Sequence, residues 1–276
     1  MVATKRCGYP TAMTETRPLA LVTGASSGIG LELARLFARD GYDLILVAHS
    51  DALDDATRTL AATGAATIPV RADLRTAAGV EEVCAAVTAT GRPLAAAALD
   101  AGTGQGGLFV DTGLDDQLEV VDVNVRSTVH LAKYVLDGMT ARGAGRVLIT
   151  SSVVSEMPGP YQVVYNASKS FLQSFSEGLH EELRGTGVTV TALMPGATDT
   201  PFFRKAEMAD APIARGPKDD PAKVARKGYE AMRGGKRKVV ASSPMSKTMA
   251  LTAAVMPDSV KAFLHRFMAK PASAPR

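Results

Sequence analysis

Tyr165 and Lys169 stand four residues apart in "YQVVYNASKSFL" (161–172), ahead of an apolar run. Residues at i and i+4 share one face of a helix. A lysine charge a few ångströms from a phenol favours the phenolate and would lower the tyrosine pKa toward neutrality. A tyrosine so tuned can donate a proton to a carbonyl oxygen or take one from an alcohol. The same spacing also arises by chance on surface helices, so its surroundings decide its meaning.

A second stretch with chemical potential lies near the start. "TGASSGIG", Thr23 to Gly30, follows the apolar run "LALVT" (19–23) and leads directly into "LELARLFARDG". In a strand–turn–helix context, glycines let the chain turn tightly and approach a pyrophosphate closely. The helix then begins with free N–H groups facing the anion. A plain glycine turn is the competing reading, and the strand before and helix after it argue against that.

The elements that must position these residues follow from the apolar pattern. Strand-type runs occur at 19–23, 43–48, 66–70, 94–99, 146–151, 188–193 and 238–242. Between them lie segments with apolar residues spaced by three and four, such as "VEEVCAAVTATG" and "QLEVVDVNVRSTVHLAKYVLDGM". Gly41, Gly64, Gly91 and Gly143 close several of these as helix caps. Runs that are apolar throughout indicate a parallel sheet covered on both faces. The expected fold class is therefore α/β, a doubly wound parallel sheet of about seven strands in three layers, α/β/α. The expected organisation is a flexible N-terminal extension at 1–17, a catalytic domain at 18–243 and a C-terminal helical extension at 244–276. Met13 is a candidate start residue.

Composition narrows the function. The 276 residues are 46% hydrophobic and 21% charged, as expected of a globular protein. No apolar stretch is long enough to span a membrane, and the N-terminus lacks a signal-peptide core, so a cytoplasmic location is expected. Cys7 and Cys84 form no disulfide framework, Cys84 reads as a small core residue, and no metal-ligand spacing is present. Residues 223–238 hold seven Lys/Arg against one Glu. Only Tyr229 accompanies them, so nucleic-acid binding is not indicated, and a solvated helix face is preferred to an anion site.

With TGxxxGxG as its glycine turn, the chain resembles the single-domain branch of the short-chain dehydrogenase/reductase family. Further matches fall in order from about residue 19 to 203: "RADL" (71–74), "LDAG" (99–102), "VDVNVRS" (121–127), "LITSS" (148–152), "YNASK" (165–169) and "PGATDT" (195–200). The resemblance implies a Rossmann fold, a nicotinamide cofactor and hydride transfer between that cofactor and a carbonyl or secondary alcohol. It implies cofactor contacts at Gly24, Ser26, Ser27, Gly28, Ile29 and Gly30 in the turn, and at Asp73 and Leu74 beside the adenine. Ala101 and Gly102 follow, with Pro195, Gly196, Thr198 and Thr200 at the nicotinamide end. The implied catalytic set is Asn124, Ser152, Tyr165 and Lys169. Lysine would hold the nicotinamide ribose, Ser152 would stabilise the substrate oxygen, and Asn124 would anchor a water leading to solvent. Asn124, Tyr165 and Lys169 count among the cofactor contacts as well. Neighbours on a strand end point to opposite sides, so Ser151 is expected behind Ser152.

Two departures from the family pattern stand out. Leu99-Asp100 replaces Asn-Asn, so Asp100 would join neighbouring strands as an acceptor only. At the end of the second strand, "LILVAHSDA" carries Ala48 where an acidic residue would mark NAD, followed by His49. His49, Ser27 and Ser50 could meet a 2′-phosphate, so NADP is favoured, with NAD possible. His130 and His180 are read as packing or surface residues.

An apolar small-molecule carbonyl or alcohol is the expected substrate, its pocket built by residues 154–161 and the segment after Thr200. The family resemblance implies a homodimer or homotetramer. The alternatives are a non-catalytic dinucleotide-binding regulator and a sugar-nucleotide epimerase or dehydratase. The four-residue catalytic set argues against the first, and the short segment after residue 205 against the second. Toward the C-terminus, "SVKAFLHRFMAK" gathers Val260, Phe263, Leu264 and Phe267 on one helix face. That face suits a helix docked on its own domain, a subunit interface or a membrane surface. The first is preferred.

Overall fold

The computed structural model describes residues 17–241 and 256–270. The expected extension before residue 17, Cys7, the segment 242–255 and the tail after 270 lie outside the described residues.

Seven parallel strands form one sheet in the order β3-β2-β1-β4-β5-β6-β7. They are β1 (Leu19–Thr23), β2 (Asp43–Ala48), β3 (Thr67–Arg71), β4 (Leu94–Leu99), β5 (Gly145–Thr150), β6 (Val188–Pro195) and β7 (Lys238–Ala241). Alternation along each strand feeds two cores. Ala20 and Val22 of β1 and Leu44 and Leu46 of β2 pack under α1 (Gly28–Arg39), α2 (Ala52–Ala61) and α9 (Pro221–Arg233). Leu19, Leu21, Ile45 and Val47 face the opposite layer of α3 (Ala77–Ala89), α5 (Ser127–Arg142) and α6 (Val163–Glu182). This is the doubly wound three-layer α/β/α fold expected from the sequence. Burying one large side chain such as Phe37 of α1 contributes on the order of 2 kcal/mol.

β3 departs from the expected pattern. It begins one residue later than the apolar run, and most of its residues are half-buried or exposed. It lies at the sheet edge, where Pro69 costs no ladder bond and only one face needs cover. The four glycines read as caps, Gly41, Gly64, Gly91 and Gly143, all have positive φ.

Two features position the site. The strand order reverses between β1 and β4, which opens a crevice at the carboxyl ends of the strands. The other is a π-helical turn at Asp122–Arg126, between α4 (Leu114–Val121) and α5. The sequence suggested one uninterrupted helical period here. The wider turn is frequent at functional sites, and it carries Asn124.

After β6, the short helices α7 (Phe202–Lys205) and α8 (Pro212–Arg215) wall the crevice. The last helix, α10 (Asp258–Ala269), packs back on this wall. Its seating reverses the reading of its apolar face. His265 and Ala269 are fully buried, whereas Val260, Phe263, Leu264 and Phe267 remain exposed. Buried hydrogen bonds to His265, rather than the apolar stripe, fix the orientation. Among the described residues, no helix is long and apolar enough to cross a membrane.

Candidate active site

The crevice is a cleft of about 420 Å³. One end is built around the N-terminus of α1. The cap residue Ser27 makes no side-chain hydrogen bond to the helix, so the first N–H groups are uncapped and open toward the cleft. Gly28 has φ +59°, and a Cβ on it would lie 2.9 Å from Thr200 Cγ2. A Cβ on Gly30 would lie 2.4 Å from the Gly24 carbonyl oxygen, which forces that turn to be side-chain free. Backbone donors at a helix start, with nothing to block close approach, fit a pyrophosphate.

The expected cofactor residues largely converge. Gly24, Ser26, Ser27, Gly28 and Ile29 line the cleft at the turn, and His49, Asp73 and Leu74 line the neighbouring end. Ala101 and Gly102 line its middle, and Pro195, Gly196, Thr198 and Thr200 its far side. Ser152, Tyr165 and Lys169 complete that side. Gly30 and Asn124 do not line it. Gly30 packs behind the turn, where its N–H meets Asp100.

Asn124 is completely buried, and its side chain is fully engaged. Its Oδ1 accepts from the Thr103 N–H at 2.9 Å, and its Nδ2 donates to the Thr103 carbonyl and the Ser168 hydroxyl. The side chain thus fixes the 101–104 turn and has no donor left for the expected water.

Tyr165 and Lys169 both project from α6 into the same end of the cleft. The Ser152 hydroxyl hydrogen-bonds Tyr165 and also meets the Pro195 carbonyl at 3.4 Å. The neighbouring Ser151 also borders the cleft, but its hydroxyl donates to the Lys169 carbonyl at 2.7 Å. Lys169 Nζ donates to the Thr150 carbonyl at 2.9 Å and lies 5.8 Å from the Tyr165 ring centroid. The lysine therefore does not lower the tyrosine in this arrangement as the spacing suggested. Burial pushes the Tyr165 phenol up, the Ser152 hydrogen bond pulls it back, and the Asp100 carboxylate adds to the rise. Burial also pulls Lys169 down, with Asp100 opposing.

The wall beyond the tyrosine is apolar. The Phe202 ring centroid is 5.2 Å from that of Tyr165, and Val154, Phe203 and Ile213 also line the cleft. Of the stretch 154–161, only Val154 reaches it. Tyr161 instead turns inward with φ 67°, and its carbonyl accepts from the Gly107 N–H.

Arg75 and Thr150 are among the residues of the cleft that the sequence reading did not single out. Arg75 lines it near His49 and ion-pairs with Asp73 at 2.7 Å, holding that carboxyl below the usual range. Its place two residues after Asp73 was the available signal. Thr150 carried none, because its role depends on tertiary placement, whereas Phe202 lies in the segment after Thr200 that was expected to build the pocket.

Outside the cleft, His130 pairs with Glu81 at 2.9 Å, and His180 Nδ1 with the Val190 carbonyl. Fold contacts bring Glu81, Cys84 and His130 within 4.8 Å of one another, a grouping invisible as sequence spacing. Burial and Glu81 push the Cys84 thiol up to about 11. The basic stretch after residue 222 is partly paired: Arg233 meets Asp40, and Arg237 and Lys238 meet Glu177.

The sequence model for short chain dehydrogenase matches residues 18–211. Oxidoreductase UcpA of Salmonella typhimurium is 33% identical over 210 residues, 76% of this chain and 78% of that protein. Among solved structures, a short-chain dehydrogenase from Sphingobium yanoikuyae in complex with NADPH is 29% identical. It superposes with a TM-score of 0.75, covering 86% of this chain and 93% of that one. L-sorbose reductase from Gluconobacter frateurii, complexed with NADPH and L-sorbose, is 26% identical. Its TM-score is 0.72, with 82% of this chain and 96% of that chain covered.

Proposed function

The chain belongs to the short-chain dehydrogenase family, and from that premise we propose that it is an NADP-dependent oxidoreductase interconverting a carbonyl and a secondary alcohol. The observation that carries this reading is the Ser152–Tyr165 hydrogen bond at one end of the cleft, with an uncapped helix N-terminus at the other. A dinucleotide laid along the cleft would connect the two ends. The cofactor supplies a hydride. The solved relatives that hold NADPH support the choice of cofactor. So does the adenosine end, where His49 and Arg75 stand beside the bonded hydroxyls of Ser26 and Ser50.

The chain's own residues then do the following. The hydroxyls of Ser152 and Tyr165 neighbour each other in the cleft, where both can reach a substrate oxygen placed beside them. As a carbonyl carbon gains hydride, its oxygen gains charge. Ser152 donates a hydrogen bond to that oxygen, and Tyr165 transfers its phenolic proton to it. In the reverse direction the phenolate accepts the alcohol proton. Lys169 keeps ammonium hydrogens free beyond its bond to Thr150, which suits it to hold ribose hydroxyls. Asn124 keeps the 101–104 turn in register with Lys169: a Cβ on Gly102 would lie 3.3 Å from both Asn124 Oδ1 and Lys169 Nζ.

The apolar wall of Val154, Phe202, Phe203 and Ile213 suits substrates with hydrocarbon or aromatic bulk beside the carbonyl. Following reduced-nicotinamide absorbance with a panel of ketones and aldehydes tests the proposal. Turnover of apolar carbonyls with NADPH is expected. Tight NADPH binding with no turnover on any member would favour the non-catalytic regulator.

A further inference from the structure

We propose that Asp100, which stands where the resembled family has asparagine, is a positioning residue of the catalytic pair: its carboxylate acts across Thr150 on Lys169 and Tyr165. This rests on the function proposed above. Asp100 follows β4 immediately, and its N–H and that of Ala101 both donate to the Thr23 hydroxyl at 3.0 Å. Its Oδ1 accepts from the Thr150 hydroxyl at 2.5 Å, and the Gly30 N–H donates to the same carboxylate. Thr150 also gives its carbonyl to Lys169 Nζ at 2.9 Å. One residue thus holds the carboxylate by its side chain and the ammonium by its main chain.

Among the described residues, the titratable groups facing Asp100 are Lys169 and Tyr165, both from α6. β1, β5 and α1 present only hydroxyls and a backbone N–H to it. A carboxylate enclosed in this way favours the protonated form of both neighbours: ammonium over amine, and phenol over phenolate. An asparagine here could keep one hydrogen bond but would exert no such field. The carboxylate therefore keeps Lys169 cationic despite burial, and it raises the proton affinity of Tyr165. Asp100 itself is pushed up by burial, so it joins the titration of the site at its acid side.

The test is the pH profile of kcat/KM for NADP-dependent alcohol oxidation in the wild type and Asp100→Asn. Both limbs of the profile should move to lower pH together, by about one to three units, three being the size of a single charge about 4 Å away at an effective dielectric near 20. A purely structural role would lower kcat or melting temperature and leave the limbs in place. Limbs unmoved beside an inactive Tyr165→Phe would overturn this inference alone. Full turnover in Tyr165→Phe would overturn the parent reading and this one with it. Should Asp100→Asn not fold, Thr150→Val removes the hydroxyl that holds the carboxylate charged. It should shift the same limbs in the same direction by less, and an unshifted profile overturns the inference.

Discussion

Replacing His265 with leucine keeps much of the side-chain volume of this buried residue and removes both ring nitrogens. In the native seating, Nδ1–H donates to the Pro160 carbonyl at 3.2 Å, and Nε2 accepts from Asn166 Nδ2 at 3.3 Å. Asn166 adjoins Tyr165 and keeps two other acceptors, the carbonyls of Val154 and Met157, so it loses little. The partly buried Pro160 carbonyl is left without its donor, and orphaning a fully buried group costs about 1–3 kcal/mol. Taking about 2 kcal/mol, the opening equilibrium of α10 shifts roughly 30-fold. Hydrogen exchange should therefore speed up about 30-fold, on the same arithmetic, for the amides of α10 and of residues 157–162.

The sign of the pH response is set by burial, which lowers the His265 pKa from its usual 6.5. The docked state resists protonation and the undocked state does not. Docking is thus fully stable above about 6.5 and weakens as pH falls toward the depressed value, by at most about 1.4 kcal/mol per pH unit. The leucine variant should lose that dependence. Because the loop it releases lies beside Tyr165, KM for substrate should rise while NADPH affinity holds. Unchanged exchange in α10, or an acid response retained by the variant, would refute the reasoning.

Lys169→Ala should weaken NADPH binding and turnover together, because one ammonium serves both; isothermal titration beside steady-state kinetics checks this, and loss of only one would contradict the assignment. His49→Asp should shift preference from NADPH toward NADH by placing a carboxylate at the 2′ position. Comparing kcat/KM for the two cofactors checks it, and a wild type that already prefers NADH would show the end of β2 to be misread.

What the sequence showed and hid follows from range. The glycine turn was legible because its demands are local: a strand, a turn that excludes Cβ atoms, and a helix start. The convergence of Ser152, Tyr165 and Lys169 was legible because each sits at a recognisable element end or helix face. The raised phenol was not, since Lys169 turns to the Thr150 carbonyl and burial then dominates. The seating of α10 was hidden as well. Its apolar stripe suggested the docking face, but His265 finds its partners about a hundred residues earlier in the chain. The π-turn at Asn124 leaves the apolar spacing on either side intact, so no periodicity could reveal it. Asp100 was visible as a substitution, but its link to Lys169 through Thr150 is purely tertiary.

The central claim is that the Tyr165 phenol is the group that moves the proton. Tyr165→Phe removes that hydroxyl and leaves the ring packed against Phe202. The variant should fold with an unchanged melting temperature and bind NADPH as the wild type does. Its kcat in carbonyl reduction should fall by about 10²- to 10⁴-fold. A folded, NADPH-binding variant that keeps kcat within a few-fold of the wild type would contradict the account.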